Sequence, residues 1–208
     1  MQRDVKTASD AELLAACLRG GSGGRDAAAL ANRLLDRFGG LRPLLHADAR
    51  RVREEPGVGG VRARALASLP ELARRYFEAS LTVGEPIRSP ADTSAFLLAR
   101  LRHLEHELFG CLYLDNRHRV LAFRELFRGT IDGTSVYPRE VVKEALAVNA
   151  AAVILAHNHP SGVAEPSQAD ERITRRLKAA LELVDIRLLD HLIVGDGGTT
   201  SLAARGVL

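Results

Sequence analysis

Two kinds of hydrophobic spacing divide this chain. From residue 10 to about residue 79, apolar positions recur every three to four residues in AELLAACL, DAAALANRLLDRF and ALASLPELARRYF, the repeat of helices with one buried face. The clusters GGSGG and FGG interrupt that repeat, and the first, at residues 20–24, reads as a loop. No strand pattern occurs in this half. Further along, short apolar runs alternate with helical ones. The spacing predicts helix 92–104, strand 108–114, strand 119–127, helix 138–148, strand 151–156, helix 167–182 and strand 188–194, which together make a layered α/β domain. The change falls in SLTVGEPIRSP, where Gly84, Pro86 and Pro90 break both patterns. The expected organisation is a helical domain over 1–84 and an α/β domain over 86–208.

Composition adds little to this picture, but it excludes some classes. With 46% apolar and 26% charged residues in 208, the chain can bury a sizeable core. No apolar stretch approaches the roughly 18 residues a membrane span needs, and MQRDVKTASD lacks the order of a signal peptide. A cytoplasmic protein without membrane contact is expected. Cys17 and Cys111 lie far apart, so no disulfide framework or cysteine metal site is indicated, and both read as small buried hydrophobes. The net charge of +3 is uneven. Residues 1–84 hold 14 Lys and Arg against 10 Asp and Glu, and residues 85–208 hold 15 against 16. That excess permits contact with phosphates without requiring it.

The chemistry is concentrated in VILAHNHPSGVAEPSQAD, residues 153–170, where His157, His159, Ser167 and Asp170 follow an apolar run. Two imidazoles and a carboxylate form the three-ligand set of a catalytic zinc, with a fourth tetrahedral position kept for water. At a strand end, residues i and i+2 project to the same side, so the two rings can aim at one point. Pro160, Ser161 and Gly162 turn the chain, and Asp170 falls in the first turn of the next helix. The same Ser167-x-x-Asp170 pair also reads as a helix capping box. Asn158 should face away from its histidine neighbours and fix the loop through hydrogen bonds. His191, in LLDHLIV, reads as supporting or structural, and His103, His106 and His118 as exposed.

The string HNHPSG-x3-PS-x2-D resembles the JAMM motif of JAB/MPN metallopeptidases, in particular their bacterial RadC branch. The likeness extends through FRGTIDGTSVYPREVVKEAL and LLDHLIV and covers about residues 86–208. It implies an MPN domain of the cytidine-deaminase-like α/β class, and a zinc-dependent hydrolase that cuts a peptide or isopeptide amide. The glutamate of the motif corresponds to Glu107 in HELFGCLYLD, with Glu105 as the nearby competitor. A water activated by zinc still needs a base to take its proton, and Glu107 suits that role. The resemblance gives Ser167 the task of donating to the oxyanion.

In the helical half, PGVGGVRARAL resembles a helix-hairpin-helix module through Gly57, Val58, Gly59 and Ala63. Glycines allow close backbone approach, and the amides of a following helix start favour an anion. Gly57, Gly59, Arg62 and Arg64 are therefore candidate contacts for a duplex DNA backbone, with RFGGLRPLLHADA as a degenerate second hairpin. The alternative is a glycine turn between packed helices. Two rival functions follow: a DNA-associated repair or recombination protein whose MPN domain is mainly scaffold, and a metal-dependent nuclease. A deaminase is disfavoured, because the chain has no P-C-x-x-C. Neither substrate nor oligomeric state is legible.

Overall fold

Ser9 opens helix α1 (Asp10–Leu18) with a complete capping box, its hydroxyl accepting from the Glu12 amide while the Glu12 carboxylate accepts from the Ser9 amide. The computed structural model in which this is seen describes residues 5–19, 24–80, 86–87, 89–129 and 136–208. It separates into two compact units, Met1–Ala73 and Arg74–Leu208. Residues 20–23 of the expected glycine loop and the expected boundary at Gly84 lie outside the described residues.

The first unit is helical. After α1 come α2 (Gly24–Phe38), α3 (Leu41–His46), α4 (Ala49–Arg53) and α5 (Gly60–Ser80), the last running on past the end of the unit. Gly39 and Gly40 take φ of +80° and +124°, the left-handed region in which glycine escapes the Cβ penalty, and so turn the chain between α2 and α3. Leu14, Leu18, Leu30, Leu34, Leu44, Val52, Val58 and Leu66 make the core. Cys17 departs from its expected burial. α1 buries the face bearing Leu14, Ala15 and Leu18, which leaves Cys17 exposed on the other side.

The second unit has helices on both faces of one sheet. Ser89 caps α6 (Pro90–Leu101) by accepting from the Asp92 amide, and Pro90 fits the first turn, where its missing N–H costs nothing. The helix thus starts and stops earlier than the 92–104 read from spacing. Strands β1 (Leu108–Leu114) and β2 (Val120–Arg128) form a hairpin. Helix α7 (Pro138–Ala147), β3 (Ala152–Asn158), α8 (Gln168–Glu182) and β4 (Arg187–Gly195) follow. A short β5 (Gly198–Ser201) ends the sheet, whose order is β2-β1-β3-β4-β5. Only β3 and β4 are parallel, joined by α8 as a βαβ crossover.

Every residue of β1 and β3 is buried, the run expected of strands covered on both faces. On one face Leu112, Leu114, Ile154, Ala156 and Leu192 pack with Phe96, Leu97 and Leu101 of α6. On the other, Phe109, Cys111, Val153 and Leu155 pack with Val141 and Ala145 of α7 and Leu177 and Leu181 of α8. Strand alternation then fixes the sides: His157 follows Val153 and Leu155 onto the α8 side, while Asn158 follows Ile154 and Ala156 onto the α6 side. β3 extends two residues beyond the expected end at 156, because Phe109 of β1 still pairs with His157 and Val194 of β4 with Asn158.

Candidate metal centre

Three elements deliver three side chains to one point. His157 comes from the last turn of the pleat in β3, His159 from the residue after Asn158, and Asp170 from the third position of α8. The Nε2 atoms of His157 and His159 lie 3.0 Å apart, His157 Nε2 is 3.3 Å from Asp170 Oδ1, and His159 Nε2 is 3.7 Å from Asp170 Oδ2. A tetrahedral zinc with bonds of 2.0–2.1 Å to nitrogen and oxygen would space its ligand atoms by about 3.3 Å. These three residues are the cluster among the described residues that could hold a metal ion.

The surroundings favour lone pairs facing inward. His159 Nδ1 is 2.7 Å from the Val163 carbonyl, which can only accept, so that nitrogen carries the hydrogen and Nε2 is bare. The expected capping box at the start of α8 is complete. The Ser167 amide and hydroxyl donate to Asp170 Oδ2 at 2.7 and 2.6 Å, and the Asp170 amide donates back to Ser167 Oγ at 3.1 Å. Cap and metal ligand are therefore compatible, since the capping bonds hold the carboxylate while Oδ1 faces His157.

Protonation follows from these contacts. Burial would raise the Asp170 carboxyl, but the neighbouring His159 and His157 rings and the hydrogen bonds from the Ser167 hydroxyl and amide outweigh it and hold the group below the usual carboxylate range. Burial pushes His157 down to about 4, so the ring is neutral near pH 7. Burial also carries His191 well below the ordinary histidine value. His159, half-buried beside Asp170, is raised instead, mainly by that carboxylate. With a bare Nε2 on His159 and the Asp170 carboxylate both turned toward the His157 ring, the donor set suits a divalent ion.

Asn158 is fully buried, its Oδ1 accepting from the Leu108 amide at 2.8 Å and its Nδ2 donating to the carbonyls of His106 at 3.0 Å and Leu104 at 3.4 Å. It ties the segment ahead of β1 to the end of β3. That segment carries Glu107, half-buried and one residue before the strand, where its carbonyl accepts from the Gly129 amide at 2.8 Å. The pairing of Phe109 with His157 places Glu107 alongside His159, and its charge adds to the upward shift of that ring. Glu105 is exposed. Replacing Asn158 by Leu leaves one amide and two carbonyls without their partner, so the chain should lose about 2–4 kcal/mol of stability in urea denaturation.

His191, expected to be supporting or structural, is fully buried, with Nε2 2.8 Å from His157 Nδ1. Thr174, not singled out by sequence, completes the contact, its Oγ1 lying 2.6 Å from His191 Nδ1. Its signal was its place one helical turn after Asp170, on the face that also buries Leu177 and Leu181. Asp190 instead accepts from the amides of His191 and Ala203 and the Ser201 hydroxyl, tying the chain at the end of β5 to the first half of β4.

The DNA candidates of the first unit divide. Gly57 has φ of +91° and Gly59 immediately precedes the start of α5, with the Arg64 side chain exposed. Arg62 does not fit the expected phosphate contact. Its Nε donates to the Leu18 carbonyl at 2.9 Å and its Nη1 to the Gly57 carbonyl at 2.7 Å, and the side chain is only 11% exposed. Removing it should loosen the helical unit: Arg62→Ala is expected to cost about 1–3 kcal/mol in chemical denaturation, because two carbonyls lose their donor.

Comparison with known proteins supplies the relatives. A family model described as RadC-like JAB domain matches residues 87–207, and one described as UPF0758 N-terminal matches residues 1–64. A UPF0758 protein of Nitrosococcus oceani is 60% identical over 208 residues, covering all of this chain and 93% of that protein. Similar proteins from Thioalkalivibrio sulfidiphilus and Halorhodospira halophila are 59% and 56% identical with the same coverage.

Proposed function

Because the chain belongs to the RadC-like JAB domain family, we propose that it is a zinc-dependent hydrolase of the JAMM type that cuts a peptide or isopeptide amide bond. The observation that carries this reading is the convergence of His157 Nε2, His159 Nε2 and an Asp170 carboxylate at separations of 3.0 to 3.7 Å. His157, His159 and Asp170 would hold the ion, which supplies Lewis acidity and makes water nucleophilic near neutral pH. Glu107, set beside His159 by the β1–β3 register, takes the proton of the attacking water and returns it to the leaving amine. Ser167 donates to Asp170 in the resting structure, so its oxyanion role requires the hydroxyl to rotate toward the carbonyl oxygen as charge develops there.

The test is an unbiased peptide and isopeptide library digested by the purified full-length protein and read by mass spectrometry. Cleavage that stops with a chelator and returns with zinc is expected. Cutting of DNA with no cleavage in the library would replace this reading by the nuclease.

The glycine turn supports a second role beside the first, contact with duplex DNA backbone. Left-handed Gly57 leads through Gly59 into the start of the 21-residue α5, with Arg64 exposed on its first turns. Binding to a short duplex should then weaken steeply with salt and fall further in Arg64→Glu; no binding at low salt removes the role.

A further inference from the structure

The contact between Thr174 and the backbone of Asp170 dictates hydrogen positions at His157, three groups away. Thr174 Oγ1 lies 2.5 Å from the Asp170 carbonyl oxygen, one turn back along α8. A carbonyl cannot donate, so the only hydrogen on that hydroxyl must point to it. Oγ1 then has just lone pairs left for His191 Nδ1 at 2.6 Å, and Nδ1 must carry the hydrogen between them. A neutral imidazole carries one hydrogen, which leaves His191 Nε2 bare. That bare nitrogen faces His157 Nδ1 at 2.8 Å, so the His157 hydrogen sits on Nδ1 and its Nε2 is bare as well. This is the atom that faces His159 and Asp170.

We propose that Thr174 and His191 are positioning residues that choose which nitrogen His157 offers to the metal, through a one-way chain of hydrogen bonds anchored on the Asp170 carbonyl. The chain closes a loop, because α8 supplies both its anchor and the carboxylate ligand. The His157 and His191 rings are packed from the β1 side by Phe109, whose ring stacks on His157 at 6.2 Å between centroids and meets His191 edge-on at 5.4 Å. Turning the His157 ring out of this stack would press it against Phe109. The inference rests on the metal reading given above for its consequence, but the hydrogen positions can be tested without any metal.

Two measurements decide it. Nitrogen-15 spectra of the imidazoles in metal-free wild type should show His157 and His191 both carrying hydrogen on Nδ1 and bare at Nε2. Hydrogen on Nε2 of His191 overturns the proposal, and this reading needs no substitution, so it decides even where a variant fails to fold. Zinc affinity by chelator competition should fall roughly 10- to 100-fold in Thr174→Val, which keeps the shape and removes the hydroxyl, and should recover in Thr174→Ser. Equal affinity in wild type, Thr174→Val and Thr174→Ser overturns it too. A wild type that takes up no zinc defeats the metal reading instead, while the nitrogen-15 result still decides the hydrogen chain.

Discussion

Glu107→Gln should leave the protein folded and metal-loaded while slowing amide cleavage by about 10²- to 10⁴-fold, the usual worth of a positioned general base. The substitution changes one atom and almost no volume. The backbone position is held independently of the side chain, by Asn158 through the Leu108 amide and by Gly129 on the Glu107 carbonyl. Glutamine at this place keeps that frame and loses only the capacity to take a proton near pH 7. A comparison of proteolysis products in cells carrying either form checks it, together with melting temperature and zinc content. Loss of products at unchanged stability and zinc content is the expected result. An unchanged product profile would remove Glu107 from the chemistry and leave the Asp170 side of the site to explain any turnover.

His157→Ala has the second largest effect, on metal rather than on rate. Structural zinc binding in small domains releases about 10–16 kcal/mol through four ligands, so losing one ligand costs on the order of 3 kcal/mol, or roughly a hundredfold in affinity. The loss is greater at this position than at His159. His157 is buried, stacked on Phe109 and bonded to His191, so alanine also opens a cavity and leaves His191 Nε2 without its donor. His159, 20% exposed at its side chain, can be replaced by water more readily. Isothermal titration of zinc into the metal-free proteins should therefore rank wild type above His159→Ala, and His159→Ala above His157→Ala. The reverse order would mean that burial of His157 serves the core and not the site.

Much of this site is legible in the chain. β1 spans the residues its apolar run marks out, Asp170 lies in the first turn of its helix, and Asn158 turns away from the histidines by alternation. These follow from local rules: period two in a strand, capping at a helix start. Partners brought together by pairing order escape those rules. His191 reaches His157 across 34 residues because β4 lies parallel beside β3, an arrangement that apolar runs do not encode. β5 was missed for another reason. Its four residues, GTTS, are too few for a period, and the signal lay in the turn Asp196-Gly197 that folds it back on β4. Arg62 shows the limit of reading charge from sequence, since a guanidinium beside a glycine turn can serve internal carbonyls as well as external phosphates.

The family and the fold place this chain among JAB domains, and the chemistry rests on one claim, that two imidazoles and a carboxylate grip a zinc ion at the end of β3. No helix among the described residues is long and apolar enough to cross a membrane. Zinc-edge X-ray absorption on protein prepared without chelators should show about one zinc per chain, with nitrogen and oxygen neighbours at 2.0–2.2 Å that include two imidazoles, and the signal should vanish in His157→Ala. A folded wild type without zinc, or a zinc signal untouched by that substitution, would contradict it.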